Sequence, residues 1–294
     1  MLRLVIPKGS LENQTLALFE AADIRLMRGS DRDYHGTVDD PRLDRFSLMR
    51  PQEIPRYVEE GFFDVGLTGL DWVTETGADV ETIAELAYSK GNVGARGIVK
   101  IVLAVSDSTD ITSVEQMPPG SRISTEYPNM TRKLFEDLNI PVKIFMSYGA
   151  TEAKVPEIVD AIVDVTETGS TLRKNRLRII HTMLHSPTLL IANKQSWADP
   201  EKRQALEELK ILIFGAVDAR GKVLVKLNVG KDDLEGVLEV IPALGSPTVS
   251  QLAHGEGFAI ESVVKKTDIN VLIPTLKARG ATGILELPIT KIVD

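Results

Sequence analysis

Apolar positions along the chain fall into short runs cut by Gly, Pro or charge, and their spacing switches between two periods. Leu2, Leu4, Val5 and Ile6 form a brief run that predicts a strand, and Lys8-Gly9-Ser10-Leu11 turns the chain after it. Leu16, Leu18, Phe19 and Ala22 then recur at helical spacing, with a second strand expected over 23–26. The same order returns where Ser121-Arg122-Ile123-Ser124-Thr125 leads through Tyr127-Pro128-Asn129 into a helical run ending near Leu138. A second echo pairs Phe63-Asp64-Val65-Gly66-Leu67-Thr68-Gly69 with the stretch from Val159 to Gly169, each a short buried strand ending in a Gly-containing turn and a new helix. This alternation predicts two α/β lobes with mainly parallel sheets, whose strand carboxyl ends face one another across a ligand cleft.

From about Ala216 the pattern changes. Residues 222–229 alternate like a strand, Asp232-Asp233-Leu234 starts a helix running to about Ile241, and strands are expected over 248–252 and 258–264. A helix over 269–278 stops at Arg279-Gly280 before a last strand over 283–287. The order βαββαβ is the ferredoxin-like unit. It is too small for a second active cleft, so a regulatory or assembly role is expected. The division expected is a discontinuous lobe I (1–95 and 182–214), lobe II (96–181) and the C-terminal module (215–294).

Composition narrows the function. The 294 residues carry 34 Lys and Arg against 42 Asp and Glu, a net charge of −8, which argues against a general affinity for nucleic acid or anionic membrane. Anionic ligands must be bound locally. With no cysteine, thiolate chemistry and disulfides are excluded. The first residues do not resemble a signal peptide, and no run approaches the roughly 18 apolar residues that cross a bilayer. A cytoplasmic protein is expected. His181 and His185 lie four apart, but their surroundings read as a strand rather than a metal-binding helix face.

The stretch from Asp160 to Leu172 is the most informative. An apolar strand with Asp160 and Asp164 at its ends runs into Thr166-Glu167-Thr168-Gly169-Ser170-Thr171, and a helix follows. Hydroxyls, a glycine that admits close approach and free N–H groups at the helix start together make a phosphate cradle. Carboxylates accept hydrogen bonds from vicinal sugar hydroxyls and hold Mg2+. The parts describe a sugar phosphate, although the residues alone also suit a plain N-cap after a buried strand.

This stretch resembles the ribose-5-phosphate loop of phosphoribosyltransferases, and most closely that of the ATP phosphoribosyltransferase family. Further segments match the same family in order: Pro7-Lys8-Gly9-Ser10-Leu11, Leu48-Met49-Arg50-Pro51, Asp64-Val65-Gly66-Leu67-Thr68-Gly69-Leu70-Asp71, Ile123-Ser124-Thr125-Glu126-Tyr127-Pro128-Asn129, Gly245-Ser246-Pro247-Thr248 and Ala281-Thr282-Gly283-Ile284-Leu285. A Gly that many relatives carry ahead of the loop strand is replaced here within Pro156-Glu157-Ile158-Val159. Because the C-terminal module is present, the chain resembles the long form of the family.

The resemblance implies two lobes of the type II periplasmic-binding-protein architecture and an ACT-like regulatory domain. It implies transfer of the phosphoribosyl group of phosphoribosyl pyrophosphate to N1 of ATP, with pyrophosphate leaving. Such a displacement needs positioning and charge neutralisation rather than a nucleophilic side chain. The expected catalytic residues are Lys8, Arg50, Asp160 and Asp164. Phosphoribosyl pyrophosphate is assigned to Asp160, Asp164, Val165, Thr166, Glu167, Thr168, Gly169, Ser170 and Thr171. ATP is assigned to Lys8, Gly9, Ser10, Arg50, Asp71 and Tyr127. Tyr127 is read as an adenine-stacking aromatic or a packed lobe residue, and Asp71 as a nucleotide contact or a helix cap. The basic run from Arg173 to Arg178 is read as a pyrophosphate or subunit contact, or as solvated surface. Mg2+ is expected mainly through the substrate pyrophosphate, with Asp164 as its protein ligand. In the C-terminal module the resemblance implies an allosteric histidine site near Asn228, Ser246, Pro247 and Thr248, in a homo-oligomer that forms dimers and hexamers. The alternative from another class is a two-lobed small-ligand binding or sensor protein without catalysis.

Overall fold

The computed structural model describes residues 1–86, 98–253 and 255–293, so the expected lobe boundary at 95–96 lies outside the described residues. Two compact units divide the chain, Met1–Lys210 and Ile211–Asp294. In the first unit the strands are β1 (Leu2–Pro7), β2 (Arg25–Met27), β3 (His35–Asp39), β4 (Leu43–Met49), β5 (Val65–Gly69) and β6 (Glu81–Leu86). They continue as β7 (Val99–Ser106), β8 (Arg122–Thr125), β9 (Lys143–Met146), β10 (Ala161–Thr166), β11 (Leu177–Ser186) and β12 (Thr188–Ala192). The helices are α1 (Glu12–Ala21), α2 (Ile54–Glu59), α3 (Leu70–Thr76), α4 (Pro128–Asp137), α5 (Ser170–Lys174) and α6 (Lys194–Ala198), and α7 (Pro200–Ala219) begins in this unit and ends in the second.

Two sheets result. One has the order β2-β3-β4-β1-β5-β12-β6 and the other β11-β7-β10-β8-β9. Each contains the echoed βα units side by side: β1 lies parallel to β5 in the first, and β8 parallel to β10 in the second. The sheets are mixed rather than mainly parallel. The β2–β4 meander, the returning strand β12 and the inserted strand β7 all pair antiparallel. Helical and strand periodicity reports which elements form, not the direction in which a strand joins its neighbour. Strand β7 is interior and buried on both faces, Ile101, Leu103 and Val105 against one apolar cluster and Val102 and Ala104 against another.

A repeated clasp closes each lobe at the ends of its strands remote from the cleft. Asp64, just before β5, accepts hydrogen bonds from the Arg3 N–H (2.8 Å) and Nε (3.0 Å), the Ser196 hydroxyl (2.7 Å) and Lys202 Nζ (2.7 Å). Those donors hold the Asp64 carboxyl well below the usual carboxylate range, against the burial that would raise it. Asp64→Asn is expected to cost roughly 2–3 kcal/mol, less than a fully buried pair, because Arg3 and Lys202 keep side-chain contact with water. A depressed folded pKa stabilises above the unfolded value, so this contribution disappears only as pH falls below the ordinary carboxylate range. Thermal melts of both proteins across pH 2–7 check the size and the sign.

The second unit has β13 (Lys222–Gly230), α8 (Leu234–Leu238), β14 (Thr248–Gln251), β15 (Gly257–Lys265), α9 (Ile269–Ala278) and β16 (Thr282–Pro288). Its sheet order, β14-β15-β13-β16 with antiparallel pairs throughout, is that of a ferredoxin-like βαββαβ unit. Val223, Val225, Leu227 and Val229 alternate inward from β13 and meet Val237 of α8 with Leu272 and Leu276 of α9. The period-2 pattern read from the sequence is this buried face.

Candidate functional site

In the first unit a cavity of about 500 Å3 gathers the carboxyl ends of β1, β4, β5, β8 and β10. Ser10 and Leu11 follow β1, Pro51 and Gln52 follow β4, and Gly69 and Asp71 sit where β5 becomes α3. From the other sheet come Glu126 and Tyr127 after β8, and the turn that leaves β10. Ligand sites of open α/β sheets lie at these strand ends. A groove of about 640 Å3 on the second unit, beside Glu239, Asp268 and Val271, contains none of the residues expected from the sequence.

The turn after β10 has the composition of a phosphate cradle and the backbone to match. Gly169 adopts φ +73, in the left-handed region, and its N–H donates to the Thr166 hydroxyl at 2.9 Å. A Cβ there would stand 2.9 Å from the Arg173 guanidinium, which itself donates to the Thr168 carbonyl at 3.0 Å. The turn is therefore braced from behind by Arg173. Val165, Thr166, Glu167, Thr168, Ser170 and Thr171 all line the cavity.

Asp164 faces the same space, its Oδ1 accepting the Val165 N–H at 2.7 Å. Burial pushes its carboxyl up to about 6, and the charges of Glu152 and Glu126 add to the rise while Lys154 opposes it. Among the described residues Lys154 makes no ion pair. Its ammonium donates to the hydroxyls of Ser147 (2.6 Å) and Ser124 (3.2 Å). Among the described residues no three His, Asp or Glu side chains form a ready metal cluster. One or two open carboxylates nevertheless suit Mg2+, which keeps waters and arrives with substrate phosphates.

Asp71 is 4% exposed and joins both lobes. The Ser186 hydroxyl (2.7 Å) and the Tyr127 hydroxyl (2.8 Å) donate to its carboxylate, and its own N–H donates to Ser186 Oγ at 2.9 Å. Burial raises its pKa, against the bonds from Ser186 and Tyr127. Gly69 is required beside it, because a Cβ there would lie 1.9 Å from Asp71 Oδ1.

Several expectations are corrected by these positions. Asp160 is outside the cavity, at the opposite end of β10, about 20 Å from Thr166 along the strand. There it accepts the Arg122 N–H (2.8 Å) and guanidinium (2.7 Å), repeating the Arg3–Asp64 clasp in the second lobe. Tyr127 is 2% exposed and its ring stacks on Trp72 at 4.5 Å, so the packed reading holds and the ring is not an open adenine platform. Lys8 and Arg50 flank the lobe I wall without lining it. Lys8 Nζ lies 3.8 Å from Glu12 and 4.6 Å from the Tyr34 ring centroid, and the Arg50 guanidinium lies against Gly9. His181 and His185 are on β11, as a strand reading requires.

In the second unit Asn228 lies on β13, while Ser246 and Pro247 precede β14 and Thr248 begins it. Strand β15 lies between the two positions in the sheet. Reading from the sequence missed Gln52, Glu126, Glu152 and Ser186 as cavity residues. Glu126 stood inside a quoted motif and Gln52 directly after one, which was the available signal. Gln52 Nε2 donates to Glu126 across the lobes at 3.4 Å, and its Oε1 is buried without a partner among the described residues.

Comparison with known proteins adds a second line of argument. The family model described as ATP phosphoribosyltransferase matches residues 50–213, and that described as HisG, C-terminal domain, matches 219–291. An ATP phosphoribosyltransferase of Chlorobium phaeovibrioides is 47% identical over 294 residues, covering 100% of this chain and 98% of its own. One of Pelotomaculum thermopropionicum is 46% identical, covering 99% of each. Among solved structures, the ATP phosphoribosyl transferase (HisG:HisZ) complex from Thermotoga maritima aligns with TM-score 0.61 and 26% identity, over 72% of this chain and 98% of that one. A putative L-cystine ABC transporter from Listeria monocytogenes aligns with TM-score 0.50 at 13% identity, over 74% and 92%, and shares the two-lobed fold alone.

Proposed function

The chain belongs to the ATP phosphoribosyltransferase family, and from that premise we propose how its cleft carries out the family's reaction. The enzyme transfers the phosphoribosyl group of phosphoribosyl pyrophosphate to N1 of ATP, releasing pyrophosphate, the first step of histidine biosynthesis. The observation that carries our assignment of substrates is the braced turn after β10, which shares one cavity with Asp71 and Gln52 of the other lobe.

In this reading the turn from Thr166 to Thr171 holds the 5-phosphate through hydroxyls and backbone N–H groups. Asp164 accepts hydrogen bonds from the ribose hydroxyls, which fixes C1 toward the opposite wall. ATP lies against that wall, beside Ser10, Pro51, Gln52 and Asp71, with Lys8 and Arg50 at the rim reaching toward the triphosphate and pyrophosphate. The N1 lone pair forms the new bond to C1 as the C1–O bond breaks, and the net charge of −8 leaves these local cations to attract the polyanions. A divalent metal, bound with the substrate, supplies charge neutralisation to the departing pyrophosphate. We assign it as Mg2+, with Asp164 as the protein carboxylate facing it.

Pyrophosphate release, followed with ATP, phosphoribosyl pyrophosphate and Mg2+ together and with each omitted, tests the assignment. Release only with all three is expected, and no turnover with the complete set would overturn it. Among the described residues no helix is long and apolar enough to cross a membrane. A cytoplasmic homo-oligomer inhibited by histidine through the ferredoxin-like unit completes the proposal. If so, added histidine lowers turnover of the full chain, and Asn228→Ala blunts the response.

A further inference from the structure

Helix α4 of the second lobe begins at Pro128 with no cap from its own sequence, since Tyr127 makes no side-chain cap bond. Its first free N–H groups are satisfied from the other lobe. Glu75, near the end of α3 and 7% exposed, accepts the Asn129 N–H at 2.8 Å on one carboxylate oxygen and the Met130 N–H at 2.9 Å on the other. The Asn129 amide donates in return to the Glu75 carbonyl at 3.0 Å. A carboxylate at a helix N-terminus is stabilised by the orphan donors and the helix dipole. Here that interaction joins two lobes rather than completing one helix.

The clamp is continuous with the cleft. Asp71 and Glu75 stand four residues apart on one face of α3, so the residue that holds α4 lies one turn from the residue that holds the Tyr127 hydroxyl. Between them Trp72 stacks on Tyr127 and packs into the core of the second lobe. Asp71, Trp72 and Tyr127 line the cavity, whereas Glu75 does not. Any rotation of one lobe against the other that loosened α3 from α4 would move all three.

We propose that Glu75 is a positioning residue for the transfer reaction: by capping α4 across the lobes it keeps Asp71, Trp72 and Tyr127 in the arrangement that aligns the two substrates. The inference rests on the phosphoribosyl-transfer reading of the cleft. In that reading the second lobe holds the ribose and 5-phosphate of phosphoribosyl pyrophosphate, so loss of the clamp leaves most of its binding intact and misaligns it with ATP on the opposite wall. Small misplacements at a reacting centre cost one to two orders of magnitude in rate.

The test compares wild type, Glu75→Ala and Glu75→Gln in the full chain, by pyrophosphate release and by amide exchange at Asn129 and Met130. Glu75→Ala is expected to lower kcat about tenfold or more, with the KM for phosphoribosyl pyrophosphate changed by less than about threefold. Exchange at both amides accelerates. Glu75→Gln, whose single carbonyl accepts one of the two N–H groups, recovers part of the loss. A lowered thermal midpoint with unchanged kcat per folded enzyme would make the clamp structural and overturn the proposal. If Glu75→Ala does not fold, a wild-type kcat in Glu75→Gln with faster exchange overturns it equally. A silent wild type condemns the transfer reading and this inference with it, while an active wild type matched by Glu75→Ala condemns the clamp alone.

Discussion

Asp164→Asn will make the protein more stable at neutral pH and all but inactive. The stability half follows from one observation, that burial and the neighbouring Glu152 and Glu126 raise the Asp164 carboxyl to about 6. A raised folded pKa means that the protonated form suits the native state, so the penalty is absent below the unfolded value and grows as pH climbs from about 4 to about 6. Above that the wild type carries a cost on the order of 1–3 kcal/mol that the neutral amide escapes. Activity runs the other way. In the role proposed for it, Asp164 accepts the ribose hydroxyls and faces the metal, which an amide does not reproduce, and about a 100-fold loss in kcat/KM is expected. In the wild type kcat/KM should rise as pH increases through about 6, the limb being set by the free enzyme. Melting curves at pH 4 and pH 7 give the stability half: the variant gains only at the higher pH. An Asn variant with full activity would remove Asp164 from the mechanism. Stability sacrificed at one residue for function is the signature of a working site.

The residue that shares its strand shows what the sequence conceals. Asp160 and Asp164 read alike, each an Asp at one end of an apolar run, and both suit a sugar. The deciding fact is the partner, and the partner of Asp160 is Arg122, thirty-eight residues away. That partnership has a trace in the sequence, because Arg3 and Asp64 stand at equivalent places in the first lobe. An echo of element order thus extends to an echo of clasps, and recognising it would have moved Asp160 out of the site. Tyr127 was misleading for a similar reason. Its neighbours in the chain are turn and helix residues, while the ring it stacks on comes from Trp72 in the other lobe. What was legible was local: the strand, turn and helix around Gly169, the alternation along β13, and the order of units. What was not legible was made by the packing of one lobe on the other, where Gln52, Asp71, Glu75 and Ser186 find partners 54 to 115 residues distant.

Replacing Thr168 and Thr171 together by Val separates the two substrates of the reaction. Valine keeps the shape of threonine and removes only the hydroxyl, so the fold of the turn should survive: Gly169 retains its bond to Thr166 and Arg173 its bond to the Thr168 carbonyl. The hydroxyl of Thr168 has one weak local use, accepting the Ser170 N–H at 3.4 Å. That bond is long, and its loss costs little. A hydrogen bond to a charged group contributes about 1.5–3 kcal/mol, so losing two from a phosphate weakens phosphoribosyl pyrophosphate binding by about 100-fold or more. ATP is assigned to the opposite wall in the proposed arrangement, and its affinity should change by less than about threefold. Calorimetric titration of each substrate into the double variant measures both numbers directly. Equal losses would say that the turn shapes the whole cleft and holds no phosphate, and Thr171→Val alone then locates the fault. Thr171 lines the cavity, so a loss confined to phosphoribosyl pyrophosphate in that single variant ties the binding to the hydroxyl itself rather than to the conformation of the turn.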